Sequence, residues 1–63
     1  MPLSGGEMVR LYEQHGWIVL RQRGSHVQMG KSQERETIPM HSELGKGIES
    51  KLLKRLGLRK GQR

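Results

Sequence analysis

Gly24 stands between two short runs of strand-forming residues, and this arrangement constrains the fold more than any other feature of the sequence. Residues 17–22 and 25–29 are rich in β-branched, aromatic and alternating apolar side chains. With Arg23-Gly24 as a two-residue turn, Gly24 takes a positive φ at low steric cost and the runs form an antiparallel hairpin. This register places four apolar side chains on one face: Ile18, Leu20, Val27 and Met29.

The same register places His26 on the other face, directly opposite Arg21. An arginine across a strand pair disfavours a second positive charge, which favours the neutral imidazole that a general base needs. By the same alternation Ser25 points inward and is assigned to structure. On the pattern alone, an ordinary exposed strand histidine is the simpler interpretation of His26.

Capping signals and apolar spacing predict a helix at each end of the chain. Ser4 and Glu7 match a capping box, and Gly16 supplies the left-handed residue that ends the first helix. Gly57 ends the last helix in the same way. The two apolar stripes are Met8, Leu11, Tyr12 and His15 in the first helix and Ile48, Leu52, Leu53 and Leu56 in the last.

A third strand is predicted over residues 35–38, where Pro39 stops the ladder. Residues 30–34 and 41–47 read as loops on either side of it. The order helix, three strands, helix packs most simply as an α+β domain. We therefore expect a three-stranded antiparallel sheet with two helices on one face and the other face free.

The chain is short, so its core must be thin. It has 63 residues, 32% of them hydrophobic, and no cysteine. One small domain of this size obtains roughly 3–5 kcal/mol from its core, so a partner protein or an oligomer would help it. The lack of cysteine excludes disulfides and a cysteine zinc site, and the lack of a long apolar run excludes a signal peptide or membrane span. A soluble cytoplasmic protein is expected.

The net charge of +6 is concentrated at one end of the chain. Residues 44–63 hold seven cations and one acid, Glu49, whereas residues 1–43 carry five of each sign. A one-sided basic segment attracts a polyanion, and nucleic acid is the commonest such partner in the cytoplasm. The alternative is a solvated helix face followed by a basic tail over residues 58–63.

The other candidate side chains are assigned to structure. His15 lies on an apolar stripe, and His41, after Pro39, is either an acid or, as we favour, a loop-packing residue. With His26 they lack any close metal-ligand spacing, so no metal site is predicted. Glu34 and Glu36 read as solvated charge on an edge strand, and Tyr12 and Trp17 as core aromatics rather than base-stacking platforms.

Four motifs in this order resemble the HicA-type toxins from about residue 4 to residue 58: Gly16-Trp17, Gly24-Ser25-His26, Pro39-x-His41 and Gly47-Ile48…Leu52-Leu53…Leu56-Gly57-Leu58. The resemblance implies a double-stranded-RNA-binding-like αβββα fold and a toxin that cleaves messenger RNA. It also implies a HicB-type antitoxin that covers the active site. The family's catalytic histidine falls on His26, whereas the second histidine of many members is replaced by Val27.

The sequence as a whole predicts one domain over residues 1–63 that acts as a metal-independent endoribonuclease without a cofactor. His26 would take the proton from the 2′-hydroxyl, and the last helix would grip the RNA backbone through Lys51, Lys54 and Arg55. Arg21, Gln28 or Lys31 would stabilise phosphate charge, with no choice among them from sequence. Two alternatives remain: a double-stranded-RNA-binding module without catalysis, and a subunit whose basic helix docks on an acidic protein.

Overall fold

The computed structural model describes residues 2–58 and contains the five predicted elements in the predicted order. They are α1 (Gly5–Gln14), β1 (Ile18–Arg23), β2 (His26–Lys31), β3 (Glu34–Pro39) and α2 (Lys46–Arg55). The strands form one antiparallel sheet in the order β1-β2-β3, so β1 and β3 are its edges. The predicted small αβββα domain is confirmed. No helix within residues 2–58 is long and apolar enough to span a membrane.

α1 begins at the expected capping box, and both helices end at the expected glycines. The Ser4 side chain accepts a hydrogen bond from the Glu7 amide at 3.1 Å, and the Glu7 carboxylate accepts one from the Ser4 amide at 2.9 Å. Gly16 and Gly57 follow the helix ends with φ values of +89° and +77°. α2 starts at Lys46, within the predicted loop and two residues before Ile48, where the predicted apolar stripe begins. The capping box therefore fixes the start of α1 as predicted.

The core lies between the helices and one face of the sheet. Its buried hydrophobic members are Met8, Tyr12, Trp17, Val27, Met29, Ile38, Leu44, Leu52 and Leu53. The Tyr12 hydroxyl donates to the Leu52 carbonyl at 2.8 Å and so joins α1 to α2. Burial, together with the nearby Glu36 carboxylate, raises the pKa of Tyr12, while Arg55 opposes the rise. Trp17 packs edge-on against Tyr12 with ring centroids 5.0 Å apart, so both aromatics serve the core.

The end of α2 is also held to the core. The Leu58 amide donates to the Leu53 carbonyl at 2.9 Å, and the Leu58 side chain is partly buried against the core. Leu58 is thus anchored, although the sequence placed it in a basic tail. The rest of that predicted tail, residues 59–63, lies outside the described residues.

The predicted register of the first hairpin is wrong. The turn is Gly24-Ser25, so that Arg23 pairs with His26 and Gln22 with Val27. Gly24 has a φ of +55°, and a glycine with positive φ in the first turn position suits a two-residue hairpin of type II′. Ser25 is therefore an exposed turn residue rather than an inward-pointing one.

A β-bulge at Leu20 changes which face of the sheet the side chains at the start of β1 point to. The pairing skips Leu20, between Val19 and Arg21, and Ile18 pairs with Gly30. Leu20 Cδ1 would lie 2.8 Å from a Cβ at Gly30, so Leu20 occupies the space that this glycine leaves on the open face. Consequently Ile18 and Leu20 are not core residues: their exposed fractions are 61% and 43%.

The second hairpin is tighter than predicted and buries a carboxylate. Its turn is Ser32-Gln33, which lengthens the third strand to Glu34–Pro39. Alternation places Glu36 on the same face as Ile38, beneath α2, where its side chain is only 8% exposed. The prediction of solvated charge holds for Glu34 but is wrong for Glu36, because the sequence pattern gave no sign of the cations on α2 that pair with it.

Candidate active site on the open sheet face

The sheet face that points away from the helices carries positive charge and no negative charge. Residues directly paired across strands share a face, which assigns the strand side chains to one side or the other. The open-face residues are Ile18, Leu20, Arg21, Arg23, His26, Gln28, Gly30, Arg35, Thr37 and Pro39. Within the described strands, both acidic residues, Glu34 and Glu36, fall on the opposite face. A phosphate that approaches the open face therefore meets three arginines and no strand carboxylate.

His26 lies in a shallow depression on this face. The depression has a volume of about 210 Å³ and is lined by Arg21, Arg23, His26, Gln28 and Thr37. Arg21 Nε donates to Gln28 Oε1 at 3.1 Å, and this bond holds the guanidinium and the amide together beside the histidine. The two hairpins bring these five side chains together from all three strands.

The arginine directly opposite His26 is Arg23, whereas the sequence pointed to Arg21. The difference comes from the turn. With the turn at Gly24-Ser25 rather than at Arg23-Gly24, each β2 residue pairs with a residue further along β1 than the sequence predicted. Paired Cβ atoms in antiparallel strands lie about 4.5–5.5 Å apart, so the bases of the two side chains are neighbours. His26 thus has the guanidinium of Arg23 directly across the strand pair and that of Arg21 two residues away from Arg23 on β1.

Two of the predicted RNA-binding residues, Arg21 and Gln28, share the depression with His26, but Lys31 does not. Lys31 lies at the far end of β2 on the helix face, where its Nζ donates to the His15 carbonyl at 2.8 Å. Five residues along a strand span about 17 Å. Lys31 is thus tied to the end of α1 and lies far from the histidine.

The predicted RNA-binding residues of α2 lie on the helix side of the sheet, opposite to the side chain of His26. Lys51 Nζ lies 3.8 Å from Glu36 Oε1. Arg55 lies 3.5 Å from Glu34 Oε1 and 3.6 Å from Glu36 Oε2, and its guanidinium carbon stands 5.4 Å from the centre of the Trp17 ring. The Lys54 side chain makes no hydrogen bond or ion pair with the described residues. Arg55 thus ties α2 to β3 and Trp17, so that Lys54 is the most available to a ligand among the three α2 residues predicted to bind RNA.

Two residues of the depression, Arg23 and Thr37, were not among the site residues predicted from the sequence. Arg23 was assigned to the turn, although Gly24-Ser25 fits the glycine-first pattern of a two-residue turn and would have placed Arg23 opposite His26. Thr37 had no comparable signal, because its position depends on the register of β3 against β2. Short loops therefore decide which residues surround the histidine.

The other histidines do not join this site. His15 is half-buried, with Nδ1 2.9 Å from the Leu11 carbonyl oxygen, in agreement with a structural role. His41 is exposed, so the packing role predicted for it is wrong; only its carbonyl is engaged, and it accepts from the Gly5 amide at 2.9 Å. Within residues 2–58, no group of three or more histidine or carboxylate side chains is arranged as a metal site.

Comparison with known proteins agrees with the family resemblance that the order of motifs carries. The family model described as HicA toxin of bacterial toxin-antitoxin matches residues 5–58, from the first residue of α1 to the residue that closes α2. No curated protein and no solved structure gave a match. The family match covers most of the chain and carries a toxin role and a HicB antitoxin partner with it. The chain therefore belongs to the HicA family of toxins from bacterial toxin–antitoxin systems.

Proposed function

We propose that this toxin is an endoribonuclease that cleaves messenger RNA with His26 as its general base. The observation that supports the proposal best is the placement of an exposed histidine beside two arginines on a sheet face without strand carboxylates. RNA cleavage requires a proton acceptor at the 2′-hydroxyl and positive charge at the phosphate. Both kinds of group are present within one depression.

In the proposed reaction, His26 takes the proton from a 2′-hydroxyl, and the resulting oxygen attacks the adjacent phosphorus. The bond from phosphorus to the 5′-oxygen of the next nucleotide breaks, that oxygen takes a proton from water, and His26 returns its own proton to the solvent, so that no proton is gained or lost overall. The products are a 2′,3′-cyclic phosphate and a 5′-hydroxyl. No metal ion takes part in this scheme. A positioned base contributes about 10²–10⁴-fold to the rate, which suffices for a slow nuclease.

Arg21 and Arg23 would stabilise the negative charge that develops on the phosphate during attack. Guanidinium groups suit this role because they donate in a planar fork and stay charged at all relevant pH values. Gln28 would act by holding Arg21, to which it is already hydrogen-bonded. The open face, with Arg35 at its far end, would then hold the RNA backbone on either side of the cleaved bond. Such contacts make RNA affinity fall as salt rises.

Replacing Arg23 with alanine is expected to lower the cleavage rate by about 10²-fold, as removal of one charge-stabilising donor does in other enzymes. The matched control is Lys54→Ala, which removes an exposed cation from the helix side of the sheet. We expect this control to cleave within about twofold of wild type, since a phosphate bound beside His26 faces the other side. Gel-based cleavage assays at low and physiological salt measure both rates.

An equal loss in both variants would contradict this arrangement, because it would place the RNA on α2, where the sequence placed it. Loss only in Lys54→Ala would contradict it more strongly. If wild-type protein bound RNA at low salt and left it intact, the proposal of a nuclease would give way to that of a non-catalytic RNA-binding module.

A further inference from the structure

The two edges of the sheet differ in how their backbone is covered. On β3, the Thr37 amide donates to Glu36 Oε1 at 3.1 Å, and the Arg35 carbonyl accepts from Arg55 at 3.3 Å. Side chains of β3 and α2 thus satisfy backbone groups at this edge. Two backbone groups of this edge are thus already bonded, which makes it a poorer template for another chain.

The β1 edge has no such cover in the described part of the chain. There, no group outside the sheet makes a hydrogen bond to the backbone of Ile18–Arg23. Three consecutive apolar residues on this strand are exposed: Ile18 by 61%, Val19 by 44% and Leu20 by 43%. An apolar run on an open edge strand is a liability in a free protein unless another chain covers it. We call the outer side of residues 18–23 the β1 edge.

We propose that the β1 edge binds an extended, acidic segment of the HicB antitoxin, which adds a fourth strand to the sheet. Main-chain hydrogen bonds along the edge would supply part of the affinity, and apolar side chains would pack on Ile18 and Leu20. Carboxylates of the added strand would face Arg21 and Arg23, which follow on the same strand. The added strand is therefore apolar at the end that faces Ile18 and Leu20 and acidic at the end that faces Arg21 and Arg23.

Charge argues against a second copy of this chain as the occupant. The chain carries a net charge of +6, and self-pairing along β1 would bring Arg21 and Arg23 of two copies together. RNA is also a poorer fit for the Ile18–Leu20 part of the edge, because bases stack on aromatic or guanidinium groups, whereas the exposed side chains there are aliphatic. An acidic strand complements the charge, the apolar side chains and the open backbone together.

The proposal explains how the antitoxin would neutralise the toxin, and in this respect it rests on the proposed function. A strand added to β1 lies about 4.8 Å from it, so side chains on its open face are cross-strand neighbours of Arg21 and Arg23. Carboxylates there would occupy the guanidiniums that otherwise hold the phosphate. Binding at the edge would therefore block the depression around His26.

The test compares Ile18→Thr with Ile48→Thr by calorimetric titration against the purified cognate antitoxin, without RNA. Both variants make the same chemical change at an exposed isoleucine, one on β1 and the other on α2, where Ile48 is 41% exposed. Threonine keeps the strand preference of β1. We expect Ile18→Thr to bind the antitoxin at least 10-fold more weakly, and Ile48→Thr to bind within twofold of wild type. Circular dichroism confirms that each variant is folded.

Amide hydrogen exchange of the wild-type toxin gives a second measurement that needs no variant. Exchange at residues 18–22 should slow in the complex more than exchange in α2. Equal affinities for wild type and a folded Ile18→Thr, or protection confined to α2, would overturn the proposal. So would an Ile18→Thr variant that loses RNA binding but keeps the antitoxin. Because RNA is absent, failure of the nuclease proposal would leave these results unchanged.

Discussion

Replacing His26 with glutamine is expected to lower the rate of RNA cleavage by about 10²–10⁴-fold while the fold is kept. Glutamine retains a polar, hydrogen-bonding side chain but cannot accept the 2′-hydroxyl proton. His26 is exposed at the start of β2, and its side chain makes no core contact that the substitution would remove. Single-turnover assays with a defined RNA measure the rate of the chemical step.

The matched control is His15→Gln, which makes the same change on the other side of the sheet. His15 lies at the end of α1, and the loss of its contact with the Leu11 carbonyl should affect stability rather than chemistry. Cleavage by this variant is expected within about twofold of wild type at a temperature where it is folded. If His26→Gln cleaved as fast as wild type, the histidine would not be the base.

Replacing Gly5 with alanine is expected to unfold a large part of the protein. A Cβ at Gly5 would overlap the Pro39 carbonyl oxygen and lie 2.7 Å from Met40 Cα, so backbone would have to move. The Gly5 amide also donates to the His41 carbonyl, which ties α1 to the chain after β3. Such overpacking costs about 1–3 kcal/mol or more, against the roughly 3–5 kcal/mol that a core of this size supplies.

The neighbouring glycine provides the control. A Cβ at Gly6 would meet nothing closer than Met40 Cε at 3.8 Å. Because alanine is the better helix former, Gly6→Ala is expected to stabilise the domain by about 0.5–1 kcal/mol. Urea unfolding followed by circular dichroism measures both changes. Similar midpoints for the two variants would contradict the close approach of α1 to Pro39 and Met40.

The parts of the fold that depend on local signals could be predicted from the sequence. Ser4 and Glu7 satisfy each other within one helical turn, and Gly16 adopts its left-handed conformation regardless of distant residues. The faces of β2 were also predictable, because Val27 and Met29 demand burial whichever turn precedes them. That requirement alone places His26 on the open face.

The register of β1 could not be obtained in this way. Arg23-Gly24 and Gly24-Ser25 both make acceptable two-residue turns, and a slip of this kind changes every cross-strand partner. The bulge at Leu20 depends on the absence of a side chain at Gly30, a contact between separate strands. The arginine opposite His26 is therefore decided by which of the two turns forms, and the partners of Ile18 and Val19 are decided by a contact between strands.

Part of the positive charge on α2 is paired within the fold. Lys51 and Arg55 carry part of the positive charge that suggested a nucleic-acid surface, yet both lie beside the buried carboxylate of Glu36. Burial of a carboxylate is costly without such partners. A count of charges along the chain does not distinguish cations that pair internally from those, such as Arg23, that remain available on the open face.

The most direct test of the central claim is to incubate the purified toxin with a defined RNA in the presence of EDTA and to analyse the ends of the fragments. The account predicts cleavage that persists in EDTA, leaves 2′,3′-cyclic phosphate and 5′-hydroxyl ends, and is lost in a folded His26→Gln variant. RNA that stays intact under conditions where the toxin binds it would contradict the account. Cleavage that requires a divalent cation and leaves 5′-phosphate ends would contradict it as well.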